Sequence, residues 1–502
     1  MRLGSFLFVT CAALMVYASG CASYYSYQFR TASQRPAEYE RFFTELDAAV
    51  NKAGVRDAST FPVIGFPYLR INRFLISCRD QLKDDHQKKH WVEWMQQLDI
   101  ESRRTEIHNL PQDFITNLGA RLGETPDRST LYERYIFFSD ELLAHDRQQP
   151  GFYDTLQNAA SVPDEYSTIM RIFGLYPLAA LPVALVTNKV FDDIRQWHQL
   201  PRDELKSLGT LRIYGPIAHT KYSQKNVNAI FAQSKPDVLG IRNLSEAQRM
   251  KLLDTFAPIY FQDAAADYDQ IGEVIWKGER AAINPSKPAV YYYFSYARLA
   301  GEPALQLNYV IWYAARAGPN SPRIERGLLD GLTVRVSLDS DGRPFMVDIM
   351  NNCGCYHFFV PRKESVERII ASPLEIDAFV PRWLPDSFPQ ERLSLRINSG
   401  WHQVDNIGTV RVLPDFVPYQ LVPYERLEML QRSDNVYESI FNSRGIAKNT
   451  DRVEPAIFFP MGIPDVGSMR QRGHHAVKMA GRAHFDDPDL FDRNFQFISI
   501  RD

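Results

Sequence analysis

Residues 351–360 read NNCGCYHFFV and place two cysteines and a histidine within five positions. The runs before them, at 289–296, 305–313 and 332–338, are rich in β-branched and aromatic residues and follow a period of two, which is typical of strands with one buried face. A turn signal, DSDG at 339–342, follows the last run. Consecutive strands joined by short turns favour antiparallel pairing. We therefore predict a mainly antiparallel sheet, sandwich or barrel-like, that includes this stretch.

Cys353, Cys355 and His357 are the first candidates for chemistry, because residues two apart on a strand point to the same face. On an extended strand Cys353 and His357 lie about 13 Å apart, at ~3.3 Å per residue. Bonds from zinc to sulfur or nitrogen are only ~2.0–2.3 Å long, so the three groups cannot hold one ion there. Cys355 and His357 can bind one ion together, and so can Cys353 and Cys355. All three can bind the same ion only if Gly354 bends the chain.

The C-terminal segment GHHAVKMAGRAHFDD, at 473–487, is the second candidate for chemistry. Its candidate groups are His474, His475, His484 and Asp486. Thiolate and imidazole groups suit zinc, and an open fourth position would hold a catalytic water. One hypothesis is therefore a zinc-dependent hydrolase in which Cys355 and His357 meet these histidines.

A second hypothesis is an enzyme with a cysteine nucleophile. Cys355 or Cys353 would attack, a C-terminal histidine would act as base, and Asp486 would orient that histidine. His402, in the sequence GWHQVD, is a weaker candidate for such chemistry. The chain contains no HExxH, Walker A or GxSxG motif, so no standard reaction is indicated.

The N-terminus reads as a targeting segment. Residues 6–18 are almost all apolar and lead into Ala18-Ser19-Gly20-Cys21, and a run of this length is too short to span a bilayer comfortably. The pattern resembles the lipobox of bacterial lipoproteins, although that family prefers leucine where Ala18 stands. The resemblance implies that 1–20 is a cleaved signal peptide, that Cys21 is acylated, and that 21–36 is a tether. Because Ala22 rather than aspartate follows Cys21, it also implies an outer-membrane lipoprotein facing the periplasm.

Export would determine which cysteines remain available for a disulfide. Cys11 would leave with the signal peptide and Cys21 would carry lipid, so Cys78, Cys353 and Cys355 remain. An oxidising compartment allows one disulfide among them, and we expect Cys78 to pair with Cys353 or Cys355 because a bond between the last two closes a very tight ring. The net charge of −3 gives no indication of a nucleic-acid partner. The expected partners are the membrane, through the lipid, and another envelope protein.

The spacing of apolar residues divides the chain into helical and β-rich parts. We predict a helical domain at 37–200, a linker region with a helix at 201–257, and a β-rich domain at 258–502 that carries the candidate site. The fold class is then α+β. Within the β-rich domain we expect helical insertions near 364–371 and 424–432, and the last strand that we predict is at 456–459.

The most apolar run after the N-terminus is GLYPLAALPVALV, at 174–186. It is 13 residues long and holds two prolines, so we do not expect it to span a membrane. We interpret it as a buried connector, and the alternative is a surface that faces a bilayer or a partner.

These observations favour a lipid-anchored cell-envelope protein that binds or scaffolds other components in the periplasm. The zinc-dependent hydrolase and the cysteine-nucleophile enzyme remain as alternatives.

Overall fold

The computed structural model describes residues 35–123, 127–217, 221–371, 375–412, 415–433 and 435–498. The predicted signal peptide and Cys21 lie outside the described residues. Within them the chain forms thirteen α-helices and a ten-stranded sheet, so the predicted α+β fold class is confirmed.

The N-terminal region packs helices around a short hairpin. The hairpin consists of β1 (Phe61–Val63) and β2 (Phe66–Ile71). The helices are α1 (Ala37–Ala53), α2 (Arg73–Cys78), α3 (Asp85–Asn109), α4 (Gln112–Leu122), α5 (Arg128–Asp146), α6 (Phe152–Ala159), α7 (Thr168–Phe173) and α8 (Tyr176–Gln199). Asp84 begins α3 by accepting a hydrogen bond from the Gln87 backbone N–H, and Gly54 ends α1 in the left-handed conformation.

Ten strands form the large sheet. They are β3 (Thr210–Pro216), β4 (Ile259–Ala264), β7 (Ala289–Leu299), β8 (Glu302–Arg316), β9 (Gly327–Leu338), β10 (Pro344–Asn351), β11 (Phe358–Pro361), β13 (Arg392–Ile397), β14 (Val404–Val410) and β15 (Val417–Pro423). Their order is β11-β10-β9-β8-β7-β15-β3-β4-β13-β14. The run from β7 to β11 is the predicted antiparallel meander, whereas β15 pairs parallel to both of its neighbours and β4 pairs parallel to β13, so the sheet is mixed.

The remaining elements surround this sheet. The helices are α9 (Gln224–Gln233), α10 (Glu246–Phe256), α11 (Glu425–Glu428), α12 (Glu454–Phe458) and α13 (Leu490–Asn494). The short strands, which pair in twos, are β5 (Glu273–Lys277), β6 (Arg280–Asn284), β12 (Val366–Ile369), β16 (Leu430–Ser433), β17 (Val436–Glu438) and β18 (Phe495–Phe497).

The sheet curls so that its two ends approach each other. The Gln403 side-chain amide, just before β14, donates to Asn351 Oδ1 at the end of β10 over 3.0 Å. Helix α8 closes the gap from outside, because His198 Nε2 donates to Val404 O over 3.0 Å and its ring packs on Phe358 at 5.7 Å. The interior of the curl is the main hydrophobic core. The loop between β10 and β11 is thereby held beside α8.

Three local predictions are wrong. Residues 353–357 form a tight loop rather than part of a strand, because Gly354 has φ +90° and Tyr356 has φ +54°. Residues 366–369 form β12 instead of a helix. The apolar run at 456–459, predicted as a strand, belongs to α12 and the short 3₁₀ turn after it, since Pro455 in the first turn favours a helix start.

The apolar run at 174–186 is not a buried connector. It forms the first half of α8, and Leu178, Leu181 and Leu185 are 74%, 67% and 65% exposed. Among the described helices, none combines the length and the apolar character needed to cross a bilayer.

A buried ion pair fixes the register of β9 against β10. Arg335 and Asp348 are cross-strand partners, both at most 1% exposed, and the guanidinium donates to the carboxylate over 2.9 and 2.6 Å. The same guanidinium donates to Phe485 O over 2.6 Å, which attaches the C-terminal segment to the sheet.

We expect Asp348→Ala to lower the free energy of unfolding by about 3–5 kcal/mol, because it leaves the Arg335 guanidinium buried without a counter-charge. Urea unfolding followed by circular dichroism measures the change. The matched control is Arg444→Ala, which breaks an exposed pair with Asp465 and should cost no more than ~1 kcal/mol. Equal losses in the two variants would contradict this account of the register.

Candidate functional site

A cavity of about 450 Å³ lies between the β10–β11 loop and α8. Most of its wall is apolar. The wall includes Val183, Val190 and Phe191 of α8, Ile376 and Phe379 from the segment after β12, Phe458 of α12, and Ala476, Val477 and Met479 of the C-terminal segment. Its polar end is formed by the loop with Cys353 and Cys355, together with Glu325 and Glu454.

The loop is held by its own backbone and by the C-terminal segment. Asn351 N donates to Cys355 O over 3.0 Å, and Gly354 N donates to Asn351 O over 2.8 Å. A Cβ at position 354 would lie 2.5 Å from Ala476 O, so only glycine allows this close approach. The C-terminal segment therefore lies against this loop, and it makes the contact with its backbone.

A hydrogen bond links the two cysteine side chains. Cys355 N donates to Cys353 Sγ over 3.4 Å. A hydrogen bond from the Cys355 thiol and the charge of the nearby Arg316 together lower the pKa of Cys353, against the effect of burial. The same hydrogen bond and burial raise the pKa of Cys355 well above its ordinary value. Cys353 is therefore the better thiolate and nucleophile of the pair.

One carboxyl oxygen of Glu454 is buried without a hydrogen-bond partner among the described residues. The residue is 4% exposed, and its Oε2 is buried with no donor among the described residues. Gly467 makes room for it, because a Cβ there would collide with Glu454 Oε2. Burial, followed by the charge of Cys353, raises the pKa of Glu454 to about 8. A protonated carboxyl in an apolar cavity is a typical arrangement for a general acid.

A chain of buried charges stands behind the loop. Arg316 donates to Asp330 over 2.9 and 3.0 Å and to Glu325 over 2.6 Å. His402 lies between Asp330, at 2.8 Å from its Nδ1, and Asp269, at 3.1 Å from its Nε2. Although burial favours the neutral ring, hydrogen bonds to these two carboxylates raise the pKa of His402. This chain fixes the position of Arg316, whose positive charge favours the Cys353 thiolate.

Glu325 connects the buried chain to the cavity. One of its oxygens accepts a hydrogen bond from the Tyr356 hydroxyl, and the other accepts from Trp401 Nε1 over 3.0 Å. Tyr356 and His402 both have positive φ angles, of 54° and 57°, which for residues with side chains is an uncommon conformation. Backbone strain of this kind often accumulates at functional sites.

The predicted zinc ligands do not come together. His357 Nε2 bonds Asp348 Oδ2 at 2.8 Å, and His474 Nδ1 bonds Glu165 Oε1 at 2.8 Å. Across the part of the chain that the structure describes, no group of three or more His, Cys, Asp or Glu side chains is arranged to hold a metal ion. The predicted zinc ligands are therefore not gathered around one position in the described part of the chain.

The other candidate residues lie outside the thiol cavity. His484 pairs with Asp487, and His475 is buried, which lowers its pKa to about 3 and keeps it neutral. Asp486 accepts from Gly473 N over 3.0 Å and lines a different cavity. None of the three lines the cavity that holds Cys353 and Cys355.

That second cavity has a volume of about 620 Å³ and lies between the N-terminal helices and β7. Its floor carries Asp57 and Glu428, which both accept from Gln471 Nε2 over 2.9 Å. Burial raises the pKa of Glu428 to about 7, but Arg472 binds both of its oxygens, over 3.0 and 2.8 Å. These carboxylates are therefore already paired, in contrast to Glu454.

The predicted disulfide is absent, since Cys78, Cys353 and Cys355 all have free thiols. Cys78 lies in the core of the N-terminal region and accepts a hydrogen bond from Arg298 over 3.3 Å, whereas Cys353 belongs to a different hydrophobic cluster. The prediction of a Cys78 disulfide is therefore wrong for this fold.

Sequence reasoning missed Arg316, Glu325 and Glu454. Each is an isolated charged residue in a segment with no motif, and only the fold brings them to the cysteines. Glu454 also directly precedes the run at 456–459 that was predicted as a strand, whereas it begins a helix.

Comparison with protein-family models, with curated proteins and with solved structures gives no match to this chain.

Replacing Glu454 should change how stability depends on pH. In the unfolded chain a glutamate titrates near 4.5, whereas in the fold the pKa of Glu454 is about 8. Between these values the native state holds one proton more than the unfolded state, so the wild-type protein loses stability as pH rises. Glutamine does not titrate, and the stability of Glu454→Gln relative to wild type should therefore increase from pH 5 to pH 8.

Urea unfolding at several pH values in this range measures the effect. The control is Glu279→Gln, which changes a side chain that is 93% exposed and should follow the wild-type curve. Parallel curves for Glu454→Gln and wild type would show that the Glu454 carboxyl is not held protonated by the fold.

Proposed function

We propose that this protein is a lipid-anchored component of the bacterial cell envelope that binds a ligand with a long apolar chain, such as an acyl chain, in the thiol cavity. The observation that carries the proposal is the double role of α8. One side of this helix forms the wall of the cavity, and the other presents apolar side chains to the surroundings.

The outward side forms a continuous apolar face. It is made of Ile169, Ile172, Phe173, Leu175, Leu178, Leu181, Leu185 and Val186 on α7 and α8, and of Val453, Ile457 and Phe459 at α12. The 3₁₀ turn after α12 packs on both α7 and α8, so the two groups are neighbours. No charged residue occurs between Ile172 and Asn188. Exposed apolar surfaces of this extent are typical of sites that contact a membrane or a partner.

The cavity opens at this face. Pro182 and Val186 line the cavity and are themselves exposed, so its mouth lies where α8 meets the surroundings. A volume of about 450 Å³ is within the usual range of ligand pockets, roughly 300–1,000 Å³. Burial contributes ~0.8 kcal/mol for each CH₂ group, so a chain of eight such groups gains on the order of 6 kcal/mol. A lipid could enter from the bilayer without crossing water.

The expected anchor at Cys21 would place the protein at the membrane. Arg35, the first described residue, lies fourteen positions after Cys21, and at ~3.3–3.6 Å per residue this length of chain reaches at most about 50 Å. The folded part can then lay its apolar face on the surface of the bilayer in which the lipid is inserted. The proposed location is the periplasmic side of the outer membrane.

The double variant Leu178→Glu/Leu181→Glu should lose vesicle binding. We expect the folded part, residues 35–502 without the lipid, to co-float with phospholipid vesicles, and the variant to float at least tenfold less because two carboxylates oppose insertion. Both side chains are exposed, so the fold should be unaffected. The control is Phe137→Glu, which charges an exposed apolar residue on α5.

If wild type does not float, the apolar face does not bind lipid, and the proposal of a membrane surface fails in favour of a protein partner. If the double variant floats like wild type, α8 does not form the contact with the vesicle.

A cavity-filling variant tests the ligand separately. We expect the folded part to bind a fluorescent fatty acid, and Ala378→Trp to weaken this binding at least tenfold because the indole occupies the cavity beside Phe379. Fluorescence titration measures the dissociation constants. The double variant Leu178→Glu/Leu181→Glu should bind the fluorescent fatty acid with the wild-type affinity. Equal affinity in Ala378→Trp and wild type would mean that the ligand binds elsewhere.

A further inference from the structure

We propose that the thiol cavity is a site of acyl transfer, in which the Cys353 sulfur takes an acyl group from an ester-linked lipid, Glu454 protonates the departing alcohol, and the acyl group then passes to a second nucleophile. This inference rests on the proposed function, because an acyl chain in the apolar part of the cavity brings its carbonyl group to the polar end.

Cys353 has the surroundings that a nucleophilic thiolate needs. It accepts a hydrogen bond from Cys355 N over 3.4 Å, and the positive charge of Arg316 favours the thiolate. Gly354 holds the two sulfurs on one tight turn against Ala476. Cys355, which keeps its proton, acts as a positioning residue by donating to Cys353.

Glu454 is the acid that we assign to this nucleophile. The carboxyl lines the same cavity, its Oε2 has no hydrogen-bond partner among the described residues, and its pKa responds to the charge on Cys353. Arg316, Glu325 and His402 are all engaged in the buried chain, and His357 Nε2 is bonded to Asp348. Glu454 therefore has a buried carboxyl oxygen that is available to give and take a proton.

In the first step the Cys353 thiolate attacks the ester carbonyl carbon, and a C–S bond forms. The C–O bond of the ester breaks, and the proton of Glu454 moves to the alkoxide, so an alcohol and a thioester result and Glu454 is left ionised. In the second step an alcohol, an amine or water attacks the thioester while Glu454 takes its proton. The C–S bond breaks and the starting thiolate and acid are restored, with no oxidant or reductant consumed.

A chromogenic ester tests the first step on the folded part. After brief incubation with p-nitrophenyl octanoate and an acid quench, mass spectrometry should show one octanoyl group on Cys353, which neutral hydroxylamine removes. Cys353→Ala should carry none. Cys78→Ala, which removes a buried cysteine in the N-terminal region, should be acylated like wild type.

Glu454→Gln separates a chemical role from a structural one. p-Nitrophenolate is a stable anion and leaves without a proton, so this variant should acylate with it at nearly the wild-type rate. The octanoyl ester of a simple alcohol has a leaving group that must be protonated, and with it the rate should fall about 10²–10⁴-fold. Equal slowing with both esters would overturn the assignment of Glu454 as the acid.

The failures of the two proposals are distinguishable. If wild type binds the fluorescent fatty acid but Cys353 is never acylated, the transfer reaction is wrong and the binding function stands. If protein isolated from the envelope holds a Cys353–Cys355 disulfide, no nucleophile is present and the transfer reaction is again wrong. If no fatty acid binds, both proposals fall.

Discussion

The contact of the Gly354 backbone with the carbonyl of Ala476 is the constraint on which the site depends. A single methyl group at position 354 would meet this oxygen at 2.5 Å, so the glycine lets the C-terminal segment lie directly on the β10–β11 loop. The contact sets both the turn that brings the two sulfurs together and the wall formed by Ala476, Val477 and Met479. Without it the cavity would have neither its polar end nor one of its sides.

The antiparallel strands could be predicted from the sequence because alternation is a local signal. The helices of the N-terminal half were equally accessible, since α1, α3 and α5 each follow an apolar stripe of helical spacing. The apolar run around Phe458 was wrongly predicted as a strand, because Pro455 in the first turn favours a helix start there. The conformation of Tyr356, at φ +54°, likewise has no signal in residue type.

Of the candidate site, only the two cysteines could be predicted from the sequence. The cysteines stand out because they are adjacent and reactive, whereas Glu454 is about a hundred positions away and looks like any surface glutamate. The histidines were overvalued because their spacing carries no information about their partners. His357 and His474 are bound to Asp348 and Glu165, and such pairings depend on tertiary packing. The 174–186 run shows the same limit, since its composition is equally compatible with a buried or an exposed helix.

Charge balance gives an independent reason for a proton shared between Cys353 and Glu454. The buried chain behind the loop contains three carboxylates, Asp269, Asp330 and Glu325, and the cations that act on Cys353 or Glu454 are Arg316 and Arg452. Ionising both Cys353 and Glu454 would add two negative charges beside these carboxylates in a place with little water. Such pairs retain one proton between them and release it only when a second group takes up the charge. A site with this balance is suited to passing a proton to a departing alkoxide and taking one back from an incoming nucleophile.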